Sequence, residues 1–399
     1  MVNRLYLTAR EAAAELNVSR ATLYAYVSRG LVSSEPSENG RSRLYRAEDI
    51  RKMRARKTPH QAQDSIARHS LSFGAPVLDS AITLIADGSV YYRGRDAIEL
   101  ARKARFEQVA ALLWQQDGAD PFDQPLLDID LPTGLAPVPR AISLLSIAGE
   151  RDLKGLNLSA RGIAETGARI VRLLASGFSG HPLSADPVHS QLARAWHLND
   201  VGADLIRMAL ILVADHELNT SAFTVRCIAS TRATPYAAIS GGICALQGPR
   251  HGGLTSQVLA FLNETVGAAD PADAVMARLK RGETIPGFGH LLYDGIDPRA
   301  AALLAAMERT LGDSPSVEIA RKIVRAAEEA LGLGPNIDFA LATLARALSL
   351  PDESSFSVFA IGRSAGWIAH AQEQYRLPEL IRPRARYVGE EPQPATALD

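Results

Sequence analysis

Apolar residues recur at intervals of three and four over most of this chain, which is the spacing of one face of an α-helix. The clearest runs with this period are Asp96–Trp114, Ala160–Ala175, Gly202–Val213 and Ser316–Ala330. Segments rich in glycine, proline and aspartate separate the runs, for example 117–124 and 176–187. Beyond the N-terminal segment, only Ser89–Arg93 is typical of a strand. The pattern therefore predicts a mainly α-helical body of about 330 residues.

The first 57 residues have a different pattern, in which two short helices are joined by a tight turn. Thr8 to Glu11 is a capping box that predicts the start of the first helix, and Ser19 is expected to cap a second helix over Arg20–Ser28. The polar, glycine-containing segment 34–43 is typical of a wing hairpin. Residues 44–50, from Leu44 to Ile50, are expected to open a third helix. These elements predict a small helix-turn-helix domain.

The charge distribution favours a nucleic-acid-binding function for this N-terminal domain. Residues 1–57 carry a net charge of +6, whereas the rest of the chain carries −7. The candidate DNA contacts are Arg20, Thr22 and Tyr24 on the second helix and Arg41 and Arg43 in the wing. The segment resembles the winged-helix domain of the MerR family, which implies DNA as a partner. The alternative is a solvated basic hairpin that docks within an oligomer.

The bulk composition is that of an ordinary globular protein, with 47% hydrophobic and 22% charged residues among 399. Its two cysteines, Cys227 and Cys244, have neither metal-ligand spacing nor the pattern of a disulfide framework, so we expect no metal site. The first residues lack the apolar core of a signal peptide, and no apolar run is long enough to span a membrane. We therefore expect a cytoplasmic protein.

Four titratable residues lie in tight local patterns: His216 in Asp-His-Glu-Leu-Asn, His251 and His290 in glycine-rich segments, and Asp338 between Ile337 and Phe339. Glycines let a backbone approach a ligand closely, and apolar neighbours raise the pKa of a carboxyl group toward that of a useful base. Taken singly, such a histidine or aspartate is as often a helix cap. Four together, with two arginine motifs downstream, favour carbon-acid chemistry, in which one group removes a proton and others stabilise the developing charge.

The downstream motifs carry a family resemblance. They are Gly362–His370, which begins Gly-Arg-Ser-Ala-Gly-Trp, and Ile381–Gly389, which begins Ile-Arg-Pro-Arg. Together with Tyr92-Arg93-Gly94 and the four patterns above, this ordered series resembles the citrate synthase family from about Leu71 to Gly389. The resemblance implies an acyltransferase that converts the acyl group into alkyl on transfer.

The resemblance also implies roles for individual residues. Asp338 would remove the methyl proton of the acyl-CoA, His251 would stabilise the enolate oxygen, and His290 would polarise the keto group of oxaloacetate and protonate the alkoxide. The oxaloacetate carboxylates would be held by His216, Arg299, Arg363 and Arg382. The planar fork of arginine matches a carboxylate, so three arginines suit a dicarboxylate. No cofactor is expected, because acetyl-CoA and oxaloacetate are both substrates.

The fold implied by the resemblance is mainly α, with citrate synthase-like large and small helical domains preceded by a small winged helix-turn-helix domain. The helix-turn-helix domain comprises residues 1–57, and a separate linker comprises residues 58–70. The large domain comprises 71–252 and 346–399, and the small domain 253–345. In the family, oxaloacetate binds first and closes the small domain over the large one. Family members form dimers, so we expect a homodimer that carries two N-terminal domains.

Some positions depart from the usual pattern of the family. Leu291 and Asp294 stand where basic residues that help to bind the CoA phosphates are common. Arg250, where leucine is more usual, is the candidate CoA-binding residue. The alternative is that these are solvated loop residues with no energetic role. In either case they leave the identity of the acyl group open.

Three functions remain compatible with the sequence. The leading one is citrate synthase, which condenses acetyl-CoA with oxaloacetate. The first alternative is 2-methylcitrate synthase, which uses propionyl-CoA, because one further methylene changes binding in an apolar pocket by only about 1–3 kcal/mol. The second alternative is a DNA-binding regulator whose synthase-like body senses a metabolite through domain closure.

Overall fold

The chain divides into two compact units, Met1–Asp79 and Ser80–Asp399. The computed structural model describes residues 6–16, 18, 20–28, 32–36, 43–47, 49–50, 78–116, 118, 120–265, 270–385 and 387–389. The predicted linker 58–70 lies outside these residues, so the proposed domain boundaries stay a prediction.

The described residues of the N-terminal unit include two complete helices and a three-stranded antiparallel sheet. Its elements are β1 (Tyr6–Thr8), α1 (Ala9–Glu15), α2 (Arg20–Ser28), β2 (Ser34–Pro36) and β3 (Arg43–Arg46). The strand order is β1-β3-β2, so β2 and β3 form the predicted wing hairpin. The predicted capping box is present, because the Glu11 amide donates to Thr8 Oγ1 at 3.3 Å and the Thr8 amide donates to Glu11 Oε2 at 2.8 Å.

The prediction that Leu44 opens a third helix is wrong. Leu44 and Tyr45 belong to β3, the central strand of the sheet, and helical backbone is found only from Ala47 onward. Leu44 pairs with Thr8 on one side and Glu35 on the other, and Tyr45 is buried in the small core. Burial along β3 runs from exposed Arg43 through half-buried Leu44 and buried Tyr45 to exposed Arg46. Four residues are too few for such a pattern to distinguish a strand from a helix in the sequence.

The second unit is mainly α-helical, as predicted. A β-hairpin and a short third strand come first: β4 (Thr83–Ala86), β5 (Ser89–Tyr92) and β6 (Arg95–Asp96). The first helices are α3 (Ala97–Lys103), α4 (Phe106–Leu113), α5 (Pro137–Arg151), a 3₁₀ turn (Leu153–Leu156), α6 (Ala160–Ser179), α7 (Val188–Ala195) and α8 (Asp200–Leu212). They are followed by α9 (Thr220–Ser230), α10 (Pro235–Leu246), α11 (Leu254–Glu264), α12 (Pro271–Lys280), α13 (Pro298–Leu311), α14 (Pro315–Leu331), α15 (Ile337–Ala347) and α16 (Ser354–Tyr375).

Two details differ from the sequence pattern. The run Asp96–Trp114 is broken into α3 and α4, because Ala104 adopts an extended conformation and the amide of Arg105 is capped by the Gln108 side chain at 2.9 Å. Strand β4 has no strong strand signature of its own. It is positioned by the Asp87-Gly88 turn, whose positive φ angles of 51° and 70° suit a tight hairpin.

Two apolar cores organise the helices of this unit. The larger one includes most of α5 to α10 and α16, which is buried along almost its whole length. The smaller one is formed by side chains from α11, α12, α14 and α15, with Phe261, Ile323 and Phe339 among them. Phe339 follows Asp338 directly, so the smaller core anchors the helix start that carries this carboxylate. Among the described residues, no helix has the length and apolar composition that a membrane span needs.

Candidate active site

His216 lies in the turn between α8 and α9. Its side chain is buried, and Nε2 is 2.7 Å from the hydroxyl of Tyr293. Asn219 ends the turn by capping α9, with Oδ1 accepting the amide of Ala222 at 3.1 Å. Burial, together with the positive charges of Arg299 and Arg363, holds the pKa of His216 well below its ordinary value. His216 is therefore a neutral hydrogen-bonding group.

His251 is oriented by a buried serine. Its Nε2 lies 2.8 Å from Ser221 Oγ, which also accepts the indole N–H of Trp367 at 3.1 Å and donates to Asn219 Oδ1 at 2.7 Å. Gly253, two residues after His251, has no room for a side chain, because a Cβ there would lie 2.6 Å from the carbonyl oxygen of residue 247. Burial, assisted by the charge of Arg363, lowers the pKa of His251 to about 4, so its imidazole is neutral at physiological pH.

His290 is presented by a glycine-rich loop. Gly287 and Gly289 on its N-terminal side have φ angles of 83° and 76°, which favour glycine. The Leu292 amide donates to His290 Nδ1 at 3.0 Å. A neutral imidazole that accepts at Nδ1 carries its proton on Nε2. Burial and the charge of Arg299 lower the pKa of His290, so this tautomer, with Nε2–H as a donor, is the resting form.

Arg299 is fixed by Asp297 at the start of α13. The Asp297 carboxylate accepts from Arg299 Nε at 3.0 Å and from its terminal Nη2 at 2.7 Å, and both side chains are buried. The same carboxylate accepts the amide of Ile337 at 3.1 Å. Asp297 thus joins the arginine to the first residue of α15. The charge of Arg299 keeps the pKa of Asp297 low although burial alone would raise it.

Asp338 occupies the first turn of α15, where Asn336 is the N-cap and accepts its amide at 3.1 Å. The Asn336 backbone amide also donates to the carbonyl of Gly287 at 2.8 Å, which ties this helix start to the His290 loop. Asp338 Oδ1 is shielded from solvent and has no hydrogen-bond partner among the described residues. Burial raises the pKa of Asp338 to about 7, as its apolar neighbours predicted, although the charges of Arg299 and Arg363 oppose the shift.

Arg363 lies in the middle of α16 with 1% of its surface exposed. Its Nε donates to the carbonyl of Val213 at 2.8 Å, and its guanidinium lies 4.9 Å from the ring centroid of Phe359. Within the described part of the chain, no carboxylate is within ion-pair distance of it, and burial lowers its pKa to about 10. A buried guanidinium without a carboxylate is costly, so this position is suited to an anionic ligand.

The structure brings six of the predicted residues together. The rings of His216 and His290 are 5.2 Å apart, and His251 packs at 6.3 Å from the ring of Phe359, which Arg363 also contacts. The pKa of Asp338 responds to both Arg299 and Arg363. The cluster thus comprises His216, His251, His290, Arg299, Asp338 and Arg363.

Two predicted residues lie apart from this cluster in the single chain. Arg382 is exposed in the irregular segment that follows α16, and the hydrogen bonds and ion pairs of the described residues do not connect it to the cluster. Arg250 precedes His251 but is exposed. Their assignments to oxaloacetate and CoA stay predictions.

Three residues that contact the cluster were absent from the sequence prediction: Ser221, Tyr293 and Asp297. Ser221 lies 30 positions from its partner His251, and Tyr293 lies 77 positions from His216. Neither contact leaves a local signal in the sequence. Asp297 had a signal, since the dipeptide that follows it, Pro298-Arg299, marks a helix start at which an aspartate is the favoured cap.

The predicted DNA contacts fall partly within the described residues. Tyr24 on α2 is 53% exposed, Arg43 at the start of β3 is also exposed, and Thr22 is half-buried. The side chain of Arg20 and the whole of Arg41 lie outside the described residues.

Comparison with known proteins finds a matching family for each of the two units. Residues 71–384 match the family described as citrate synthase, C-terminal domain, and residues 6–58 match the family described as helix-turn-helix domain. A citrate synthase from Haloferax volcanii is 32% identical over 367 residues, covering 82% of this chain and 97% of that protein. The crystal structure of citrate synthase from Thermotoga maritima superposes with a TM-score of 0.67 at 26% identity, covering 82% of this chain and 98% of that one.

A second solved structure has a similar fold at lower identity. It is a ternary complex of citrate synthase from Thermoplasma acidophilum with carboxymethyl coenzyme A and oxaloacetate. Its TM-score is 0.68 at 22% identity, with 82% of this chain and 97% of that one covered.

Proposed function

The chain belongs to the citrate synthase family, and from this premise we propose that it condenses acetyl-CoA with oxaloacetate and hydrolyses the thioester to give citrate and CoA. The observation that carries the proposal is Arg363, a buried guanidinium without a carboxylate partner among the described residues, beside Arg299 and two neutral histidines. A dicarboxylate such as oxaloacetate supplies the missing negative charge.

Proton abstraction falls to Asp338. A thioester α-proton is weakly acidic, so a carboxylate whose pKa burial has raised to about 7 is a stronger base than an ordinary aspartate. The enolate that forms needs a positioned donor in a water-poor site. His251 supplies this donor as a neutral imidazole. Ser221 has a single hydroxyl proton, which points to Asn219 Oδ1 in this structure. When the hydroxyl rotates to donate to Nε2 of His251 instead, the imidazole proton is on Nδ1 and is available to the thioester oxygen.

The new carbon–carbon bond forms at the keto carbon of oxaloacetate, and His290 serves that end of the reaction. Its Nε2–H, fixed by the Leu292 amide at Nδ1, donates to the keto oxygen and then protonates the alkoxide. Arg299 uses one edge of its guanidinium on Asp297, which leaves the opposite edge for a substrate carboxylate. His216 and Arg363 bind the same substrate from the other side of the cluster.

We propose a homodimer for the remaining predicted contact. Arg382 lies in an exposed segment without regular secondary structure, so a second copy of the chain that brings this segment to the cluster would supply the third arginine. Arg250, exposed beside His251, is kept as the CoA-binding residue because a cation next to the histidine assigned to the thioester suits the phosphates of CoA. A cytoplasmic location belongs to the same proposal.

Two other functions have specific support. The departures at Leu291 and Asp294 leave propionyl-CoA, and thus 2-methylcitrate synthesis, as the first alternative. The helix-turn-helix domain supports DNA as a partner, either of an active enzyme or of a regulator that senses oxaloacetate or acyl-CoA.

Thiol release by the purified full-length protein tests these proposals, with oxaloacetate present and kcat/KM compared for acetyl-CoA and propionyl-CoA. A preference for acetyl-CoA is the expected result. A preference for propionyl-CoA would assign the enzyme to 2-methylcitrate synthesis. Oxaloacetate binding without thiol release from either substrate would overturn the enzymatic proposal in favour of the regulator.

A further inference from the structure

A connected series of buried polar groups lies behind the turn that carries His216. Asp215, the residue before it, is fully buried, and its Oδ2 accepts the hydroxyl of Thr83 at 2.6 Å. Its Oδ1 is 3.3 Å from Nε2 of His370, which is also fully buried on α16. Neither Asp215 nor His370 belongs to the cluster of groups assigned to the reaction. Their burial and pairing call for an explanation of their own.

The protonation state of His370 follows from its other neighbour. Arg226 on α9 donates from Nε to His370 Nδ1 at 3.1 Å. Because arginine has no acceptor, His370 Nδ1 must present a lone pair, and the proton of the neutral ring is then on Nε2, facing Asp215. Arg226 in turn bonds Glu373, whose Oε1 accepts from Arg93 at 3.3 Å. Along the series, the anion Asp215 is followed by the neutral His370, and then come a cation, an anion and a cation: Arg226, Glu373 and Arg93.

This arrangement keeps Asp215 ionised in the interior. Burial alone would raise its pKa, but His370, Arg363 and Thr83 outweigh burial and hold the pKa below the ordinary value. Buried ionic groups of this kind contribute little net stability compared with apolar side chains of similar volume. Their value lies in fixing one geometry, because a displaced partner leaves a charge buried and unpaired.

The buried pair fixes the position of the turn that carries His216 against helix α16. Three consecutive residues of the turn bond this helix or face it: Val213 accepts from Arg363 Nε at 2.8 Å, Ala214 accepts from the Gly366 amide at 3.0 Å, and Asp215 faces His370. A side chain at position 366 would collide with both the Ala214 carbonyl and the Asp215 carboxylate. The turn and the helix are thus in direct backbone contact.

We propose that Asp215 and His370 are positioning residues for the oxaloacetate site, which set the imidazole of His216 at a fixed place relative to the guanidinium of Arg363. This inference rests on the proposed function, since it assumes that both groups bind oxaloacetate. A misplacement of about 1 Å at such a site reduces turnover or binding by up to about 100-fold.

The test compares two variants of the pair, Asp215→Asn and His370→Gln, with a matched control elsewhere in the same unit. The control is Asp152→Asn, which removes the charge from another buried ion pair: Asp152 is 2.7 Å from Arg169, and neither contacts the cluster. Steady-state kinetics give KM for oxaloacetate, KM for the acyl-CoA at saturating oxaloacetate, and kcat. Thermal unfolding of each variant is measured in parallel.

We expect KM for oxaloacetate to rise about tenfold or more in both variants of the pair. The KM for acyl-CoA should change less than threefold, roughly, because that substrate faces His251 and Asp338. Asp152→Asn should lower the unfolding temperature and leave the oxaloacetate KM unchanged. A milder variant, Thr83→Val, removes only the 2.6 Å hydrogen bond to Asp215 and should raise the oxaloacetate KM by a smaller factor with the fold retained. It carries the test if Asp215→Asn does not fold.

Two outcomes would overturn the positioning role. One is an unchanged oxaloacetate KM in folded variants of the pair; the other is an equal rise in Asp152→Asn, which would mean that general destabilisation is the cause. Measurements on the unmodified protein distinguish a failure of the positioning role from a failure of the proposed function. If it neither turns over nor shows an oxaloacetate-dependent shift of its unfolding temperature, the proposed function itself fails.

Discussion

The hydroxyl of Tyr293 lies 2.7 Å from Nε2 of His216, a contact between residues 77 positions apart. Tyr293 also packs against His290, with ring centroids 4.9 Å apart, and lies under the guanidinium of Arg299 at 5.9 Å. It therefore joins the turn that carries His216 to the loop that carries His290 and to the start of α13, which carries Arg299. The site is built from segments that are distant in the sequence, and Tyr293 contacts a residue from each of them, which fixes His216 relative to His290.

Replacing Tyr293 by phenylalanine is expected to loosen that junction. A net hydrogen bond contributes about 0.5–1.5 kcal/mol, so KM for oxaloacetate should rise roughly two- to twelvefold while kcat falls by a similar or smaller factor. Steady-state kinetics with varied oxaloacetate measure both. Tyr236→Phe is the matched control, because this buried hydroxyl bonds Asp152 at 2.6 Å and does not contact the cluster. Equal kinetic effects in the two variants would contradict the assignment.

Asp338 is expected to dominate the pH dependence of turnover. Its pKa of about 7 means that the ionised base is a minor species below pH 6, so kcat/KM for acyl-CoA should rise with pH and level off above about 8. Asp338→Asn should lose about 10²–10⁴-fold in kcat and keep its affinity for oxaloacetate. Its residual activity should show no inflection near pH 7. A loss of less than tenfold would mean that another carboxylate is the base.

The same raised pKa has an opposite consequence for stability. In the unfolded chain the carboxyl ionises near pH 4, whereas in the folded protein it ionises near pH 7, so the folded state loses stability relative to the unfolded state as the pH rises across that interval. Asp338→Asn, which has no proton to lose, should therefore unfold at a higher temperature than the unmodified protein at pH 8. The expected gain is roughly 1–2 kcal/mol, because each pKa unit corresponds to about 1.4 kcal/mol and the side chain is only part-buried. At pH 4 the difference should shrink or vanish; a constant difference would contradict this account.

Local chemistry explains why much of the cluster was predictable. His290 needs Gly287 and Gly289 at positive φ, and Asp338 needs the Asn336 cap; both requirements are met within a few residues and so are visible in the sequence. Ser221 and Tyr293 were missed because their roles depend on distant partners. A serine at the start of α9 or a tyrosine in a loop has no local pattern that identifies His251 or His216 as its neighbour.

The errors in the predicted elements have a similar origin. Leu44 and Tyr45 are strand residues because strands lie on both sides of them, and that pairing overrides the local helical preference. Ala104 breaks a run that reads as continuous helix, since alanine itself is a strong helix former. Helix α2 was placed correctly at Arg20–Ser28 because the residues that predict where it starts and ends are its neighbours in the sequence.

Arg363 should behave differently from a paired buried arginine. In Arg363→Met the buried charge is removed, and Asp215, whose pKa Arg363 helps to lower, keeps Thr83 and His370 as its direct partners. The free protein should therefore unfold at an unchanged or higher temperature. Oxaloacetate affinity should fall at least about 30-fold, since a buried charge pair with a ligand contributes about 2–5 kcal/mol. Arg169→Met is the contrast: it leaves Asp152 buried and unpaired, and should destabilise the fold without changing oxaloacetate affinity. Calorimetric titration and thermal unfolding distinguish the two, and similar behaviour of both variants would refute the role of Arg363.

DNA binding by the N-terminal unit is tested with the full-length protein and labelled duplex DNA of mixed sequence, by fluorescence anisotropy at several salt concentrations. Non-specific affinity in the range of about 10⁻⁴–10⁻⁶ M is expected, with a strong dependence on salt because phosphate contacts release counterions. Arg43→Ala should reduce the slope of log K against log salt by about 1, and Tyr24→Ala should weaken binding with less effect on the slope. Arg161→Ala, which removes an exposed arginine of the other unit, is the control and should change neither quantity.

Adding oxaloacetate then separates the two roles of the domain: an unchanged DNA affinity fits an enzyme with an accessory domain, whereas a change of several-fold fits a metabolite-responsive regulator. Absence of DNA binding at low salt, or equal effects of Arg43→Ala and Arg161→Ala, would remove DNA from the partners of this protein.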